Sequence, residues 1–112
     1  MSEVYTYAYQ LTASAGASGK VSAFTVTAGR KMRLREVKVF FPSGSNMYLS
    51  LKILRGEEQI VPDGGSLVGD NVVIPVPCDD VIESGQPVIV QYSNSDAANP
   101  HTALILFVAE VI

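Results

Sequence analysis

Alternation with a period of two runs through most of this chain, and the 3.6-residue period of an amphipathic helix is nearly absent. Tyr5, Tyr7, Tyr9 and Leu11 alternate with Thr6, Ala8 and Gln10; Met47, Leu49, Leu51 and Ile53 alternate with Tyr48, Ser50 and Lys52. Successive side chains of a strand point to opposite faces, so such a pattern fits half-buried strands and lays no apolar stripe along a helix. The 112 residues are the size of one domain. A chain of that length buries about two thirds of its unfolded surface and needs no disulfide staples.

The alternation and the turn residues predict eight strands, at about 3–11, 21–27, 31–41, 47–53, 59–61, 72–76, 88–92 and 101–111. Residues 12–19 are all small and read as a flexible loop. The third strand carries Met32 and Leu34 on one face, then Val37, Val39 and Phe41, so its phase slips near Arg35-Glu36, as at a β-bulge. Pro75 and Pro77 assign the 72–76 strand to a sheet edge or a bulge. The expected fold is all-β: one eight-stranded antiparallel β-sandwich of the jelly-roll type spanning 1–112. Its N-terminal part, 1–19, is a strand and a small-residue loop placed to dock on a neighbour.

The last strand is apolar on both faces from Ala103 to Ala109, whereas a sandwich strand needs one apolar face. In a jelly roll it lies between the first strand and the third. Its outer face is then covered either by this chain's own tyrosine strand or small-residue loop, or by another subunit. In the second case Leu104 and Leu106, or Ile105 and Phe107, supply the apolar area. The Tyr5, Tyr7 and Tyr9 stripe fits a core-facing strand or a contact surface.

Charge is sparse, at 17% of residues, and it is segregated. All eight basic residues fall between Lys20 and Arg55, and nine of the eleven carboxylates fall from Glu57 onward. The basic residues concentrate at Arg30, Lys31, Arg33 and Arg35, three of which form a row about 7 Å apart on one strand face. Three readings are open for that row: a solvated face paired with this chain's own acids, a docking stripe for a neighbouring copy, or a phosphate-backbone contact. The net charge of −3 and the absence of interleaved aromatics disfavour nucleic acid. For docking, the acidic side comprises Glu57, Glu58, Asp63, Asp79 and Asp80.

Catalytic inventory is thin. His101 is the one histidine and Cys78 the one cysteine. Asp79 and Asp80 beside Cys78 raise rather than lower its pKa. Ser93, Asp96 and His101 supply triad residue types without a nucleophile-elbow sequence. One His and one Cys make no zinc site, and no EF-hand or phosphate loop is present. No catalytic residue, cofactor or metal is therefore expected, and the chain reads as no enzyme. The uncharged run Ala97 to Ala109 is 13 residues, short of the about 20 that a membrane helix needs. Met1-Ser2-Glu3-Val4 lacks a basic, apolar leader, so synthesis in the cytoplasm without a signal peptide is expected.

Phe41-Pro42-Ser43-Gly44 precedes an alternating strand; Gly56 and Gln59-Ile60-Val61-Pro62 follow, then Gly69-Asp70-Asn71, Tyr92 to Asp96, and His101-Thr102 opening the final strand. In this pattern, over about residues 24–108, the chain resembles small single jelly-roll proteins of prokaryotic viruses. The resemblance implies a virion component: a capsid, capsid-decoration or tail-associated protein whose partners are copies of itself or other virion proteins. It brings no catalytic motif. The alternative from another class is a lectin-like module that binds glycans through loop acids and tyrosines.

Overall fold

The computed structural model describes residues 4–112, which form nine strands and no helix. They are β1 (Val4–Ala13), β2 (Ser18–Thr25), β3 (Met32–Phe41), β4 (Leu49–Arg55), β5 (Glu58–Val61), β6 (Leu67–Val68), β7 (Val72–Ile82), β8 (Pro87–Asn94) and β9 (His101–Val111). The strands make two antiparallel sheets, ordered β1-β9-β3-β7 and β2-β8-β4-β5, with β6 also paired to β4. The chain crosses from one sheet to the other at nearly every connection, which makes the sandwich a jelly roll.

Alternation decides what fills the space between the sheets. Val37, Val39, Phe41, Ile105 and Phe107 point inward from the first sheet and are fully buried. Leu49, Leu51, Ile53, Val88 and Val90 meet them from the second. β9 lies between β1 and β3, as the jelly-roll reading requires. The slip in β3 is a bulge: its register shifts between Leu34 and Glu36 against both β7 and β9. Pro75 and Pro77 sit in β7, an edge strand, where a missing N–H breaks no ladder bond with a further strand.

Several boundaries differ from expectation. β4 starts at Leu49, because Asn46 and Met47 both adopt positive φ and prolong the turn; Met47 faces solvent instead of the core. β7 continues through both prolines to Ile82, so Asp79 and Asp80 lie on a strand. The loop expected at 12–19 shrinks, because β1 runs to Ala13 and β2 begins at Ser18. Gly19 pairs with Tyr92 in that strand, and a Cβ there would lie 3.2 Å from the Tyr92 hydroxyl. At the other end β2 stops at Thr25 rather than residue 27. The ninth strand, β6, continues the β5 edge along β4 after the Pro62–Ser66 interruption. The expected first residue of the first strand, Glu3, lies outside the described residues.

Candidate interaction surface

β1, β9, β3 and β7 turn one face to the core and the other outward, and their register fixes what lies side by side on the outer face. Gln10, Leu104, Phe40 and Val73 form one row across the four strands. Ala8, Leu106, Lys38 and Pro75 form the next, then Thr6, Val108, Glu36 and Pro77, then Val4, Glu110, Arg33 and Val81. The face is therefore divided. At one end Phe40, Leu104 and Val73 are 41%, 37% and 52% exposed. A bulky apolar group left in water at three neighbouring positions forgoes burial free energy, which makes this end the candidate contact surface.

The other end is ionic. Arg35 Nη1 donates to Glu110 Oε1 at 3.1 Å, and Arg33 Nη1 lies 3.8 Å from the same oxygen. Arg33 Nε is 3.1 Å from Asp79 Oδ1, near enough to pair but not aligned for a hydrogen bond. Lys31 pairs with Glu83 at 3.7 Å and Lys38 with Glu36 at 3.5 Å. The basic row thus meets carboxylates of its own chain, on β7, β9 and the β7–β8 turn. Such exposed pairs contribute about 0–1 kcal/mol each. They leave the ionic end close to neutral.

Of the residues singled out from the sequence, Leu104 and Leu106 face outward, whereas Ile105 and Phe107 are fully buried in the core. Ile105 and Phe107 are therefore unavailable to a partner, because period two turns them away from Leu104 and Leu106. The Tyr5, Tyr7 and Tyr9 stripe faces the sandwich interior: Tyr7 and Tyr9 pack on the core, and Tyr5 lies at its exposed end. Arg30 sits in the β2–β3 loop. Glu57 occupies the β4–β5 turn, Glu58 opens β5 and pairs with Arg55 at 2.7 Å, and Asp63 lies in the β5–β6 loop. Asp79 is exposed and Asp80 half-buried on β7. The acids are spread over separate elements rather than gathered opposite the basic row. The sequence reading missed Phe40 and Val73, although Phe40 stands out of phase between Val39 and Phe41.

The residue types with catalytic potential are engaged structurally. Asp96 Oδ1 accepts from the Ala98 and Asn99 amides, and Oδ2 from Asn99 Nδ2 and His101 Nε2, the last at 2.9 Å. These bonds, the Ala98 amide foremost and then His101, hold the Asp96 carboxyl below its ordinary range. The His101 ring stacks on Tyr48 at 5.7 Å. Ser93, the third triad type, projects from the outer face of the other sheet beside Ser50. Burial first, then Asp80 and Asp79, pushes the Cys78 thiol up to about 11, and its Sγ donates to the Leu34 carbonyl at 3.6 Å. Among the described residues no three His, Cys, Asp or Glu side chains converge to hold a metal. Among the described residues no helix is long and apolar enough to cross a membrane.

The opposite sheet carries a polar cleft of about 430 Å³ between β2, β8 and β4. Lys20 and Lys52 line it, 32 positions apart in sequence and separated in space by one strand, β8.

No family model and no curated protein matches the sequence. Solved structures do match its fold. A capsid chain of the Helicobacter pylori bacteriophage KHP30 aligns over 100% of this chain and 97% of its own, with a TM-score of 0.59 and 14% identity. A chain of the Sulfolobus Turreted Icosahedral Virus aligns over 97% of this chain and 29% of its own, with a TM-score of 0.63 and 14% identity. A chain of the cyanophage Pam1 capsid asymmetric unit aligns over 99% and 84%, with a TM-score of 0.53 and 9% identity. The fold is thus the jelly roll found in these viral capsid structures.

Proposed function

We propose that this chain is a non-enzymatic structural subunit of a virion, associating with copies of itself or with other virion proteins through the outer face of the β1-β9-β3-β7 sheet. The observation that carries the reading is the exposed Phe40, Leu104 and Val73 row on a face whose remaining charges are already paired. A neutralised ionic end adds little repulsion or attraction of its own, so apolar burial drives association. The match to the KHP30 capsid chain over nearly the whole of both chains supports a role within a shell. Such a face fits a capsid, decoration or tail-associated protein alike. The thin catalytic inventory supports the structural reading, as do the internal hydrogen bonds of Asp96 and His101.

Multi-angle light scattering at physiological salt tests the reading. The expected result is a species larger than the 12.0 kDa protomer that grows with concentration. A monodisperse protomer at high concentration, which also fails to bind virions purified without it, overturns it.

A further inference from the structure

Lys20, Gln91 and Lys52 sit side by side on three adjacent strands. β8 lies between β2 and β4, and the register pairs Lys20 with Gln91 and Gln91 with Lys52. Neighbouring strands are about 4.8 Å apart, so the two lysine backbones stand about 10 Å from each other across Gln91. Two lysine side chains close that gap readily. The row beside them is Ser18, Ser93 and Ser50, from the same three strands. With Ser66 these residues line the cleft, and no Asp or Glu stands on its wall.

The two lysines differ from the rest of the basic residues. Lys31, Arg33, Arg35, Lys38 and Arg55 each pair with a carboxylate of this chain. Lys20 and Lys52 pair with none among the described residues, although the chain carries more acids than bases. Two ammonium groups flanking one amide repel each other, and an anion between them turns that repulsion into attraction for both. The Ser50 hydroxyl already donates to the Ser93 carbonyl at 3.4 Å, which leaves Ser18, Ser66 and Ser93 hydroxyls and the Gln91 amide as further donors.

We propose that this cleft binds a tetrahedral oxyanion, the phosphate or sulfate group of a small ligand. Donors reach it from both flanks and from the floor, which matches the several acceptor oxygens of such a group better than the two of a carboxylate. Lysine binds phosphate as a point charge and needs no planar partner. A volume of about 430 Å³ exceeds a bare ion, and its serine wall suits the hydroxyls of a sugar that carries the group. A nucleic-acid strand is the weaker occupant. It calls for cations along several successive phosphates and for several stacking aromatics, and two lysines with the single Tyr92 of the lining, on a chain of net charge −3, supply too few of either.

The test is an amide NMR titration of the full chain at fixed ionic strength with inorganic phosphate, inorganic sulfate, glucose 6-phosphate and a short oligothymidylate in separate arms. The expected result is saturable shifts at Lys20, Gln91 and Lys52 with phosphate or sulfate, at lower concentration with the sugar phosphate. The Lys20→Gln, Lys52→Gln double variant removes no internal pair, keeps the remaining spectrum and weakens binding about tenfold or more. Absence of saturable shifts with phosphate, sulfate and sugar phosphate overturns the proposal, as does binding unchanged in the double variant. Saturable binding of the oligonucleotide alone also overturns it and marks the face as a nucleic-acid surface. The readout is independent of assembly, so it stands or falls apart from the virion reading.

Discussion

Tyr7 of β1 stacks face to face on Phe24 of β2, with ring centroids 4.2 Å apart and planes 6° from parallel. Phe24 in turn meets Phe107 edge-on at 5.3 Å and 71°. This run of rings crosses from one sheet to the other and back, and it fastens the edge strand β1 onto the chain's own core. A stacked pair contributes about 0.5–1.5 kcal/mol beyond the apolar area it buries. Tyr7→Ala is therefore expected to destabilise the fold by about 2–3 kcal/mol. Tyr7→Phe loses little more than a 3.9 Å contact to Met32 Sδ and stays near neutral. Urea midpoints of the two variants, at unchanged slope, check this.

Among the described residues Asn94 is one of two buried polar ones, 2% exposed, and its side chain holds three segments together. Its Nδ2 is directed at the carbonyls of Ala13, Ser14 and Asn99, and its Oδ1 accepts from the Asp96 amide. Asn94→Leu removes a donor from all three carbonyls, of which Ser14 keeps the Ala17 amide, and takes the side-chain acceptor from the Asp96 amide, at a cost of about 2–3 kcal/mol. The urea midpoint is expected to fall accordingly, with hydrogen exchange rising first at Asp96.

Cys78 is expected to resist thiol reagents in the folded protein. Its pKa lies near 11 against an ordinary 9.0, so at pH 8 its thiolate is about a hundredfold scarcer than in the unfolded chain. The unfolded thiol ionises first as pH rises past 9.0, so the folded state binds more protons there and stability falls between about 9 and 11. Iodoacetamide labelling at pH 8, with and without denaturant, reads the first effect; thermal melts from pH 8 to 11 read the second.

Asp96 gives the opposite sign. Its folded pKa lies below the ordinary 3.8, so its contribution to stability is present above that value and is lost as pH falls through the folded pKa. The Ala98 and Asn99 amides donate to its Oδ1 and are expected to shift together in an acid NMR titration, with a midpoint below 3.8. In Asp96→Asn that shared transition disappears.

Most of the fold is legible in the chain because strand alternation is local. The phase slip at Arg35-Glu36 exposes the bulge, and the double apolar face of 103–109 exposes the central place of β9. The two prolines mark β7 as an edge. What stays hidden depends on pairing between distant residues. Whether Arg33 meets a neighbour's acid or its own Asp79 follows from β7 lying beside β3 and running on to Ile82, past the 72–76 stretch where alternation is visible. Lys20 and Lys52 become a pair through β8, which sits between their strands and contributes Gln91. The choice between the Leu104/Leu106 and Ile105/Phe107 faces needs the position of the opposite sheet. Met47 carries the apolar pattern yet lies in the turn, because the Asn46-Met47 backbone is left-handed.

Hydroxyl-radical footprinting of the chain, at a dilution where it is monomeric and at a concentration where it assembles, tests the proposed contact face most directly. Phe40, Leu104 and Val73 are expected to become protected on assembly, while the exposed Met47 and Tyr48 at the sandwich end remain labelled. Assembly with undiminished labelling of Phe40 and Leu104 would contradict the account, because association would then use another face.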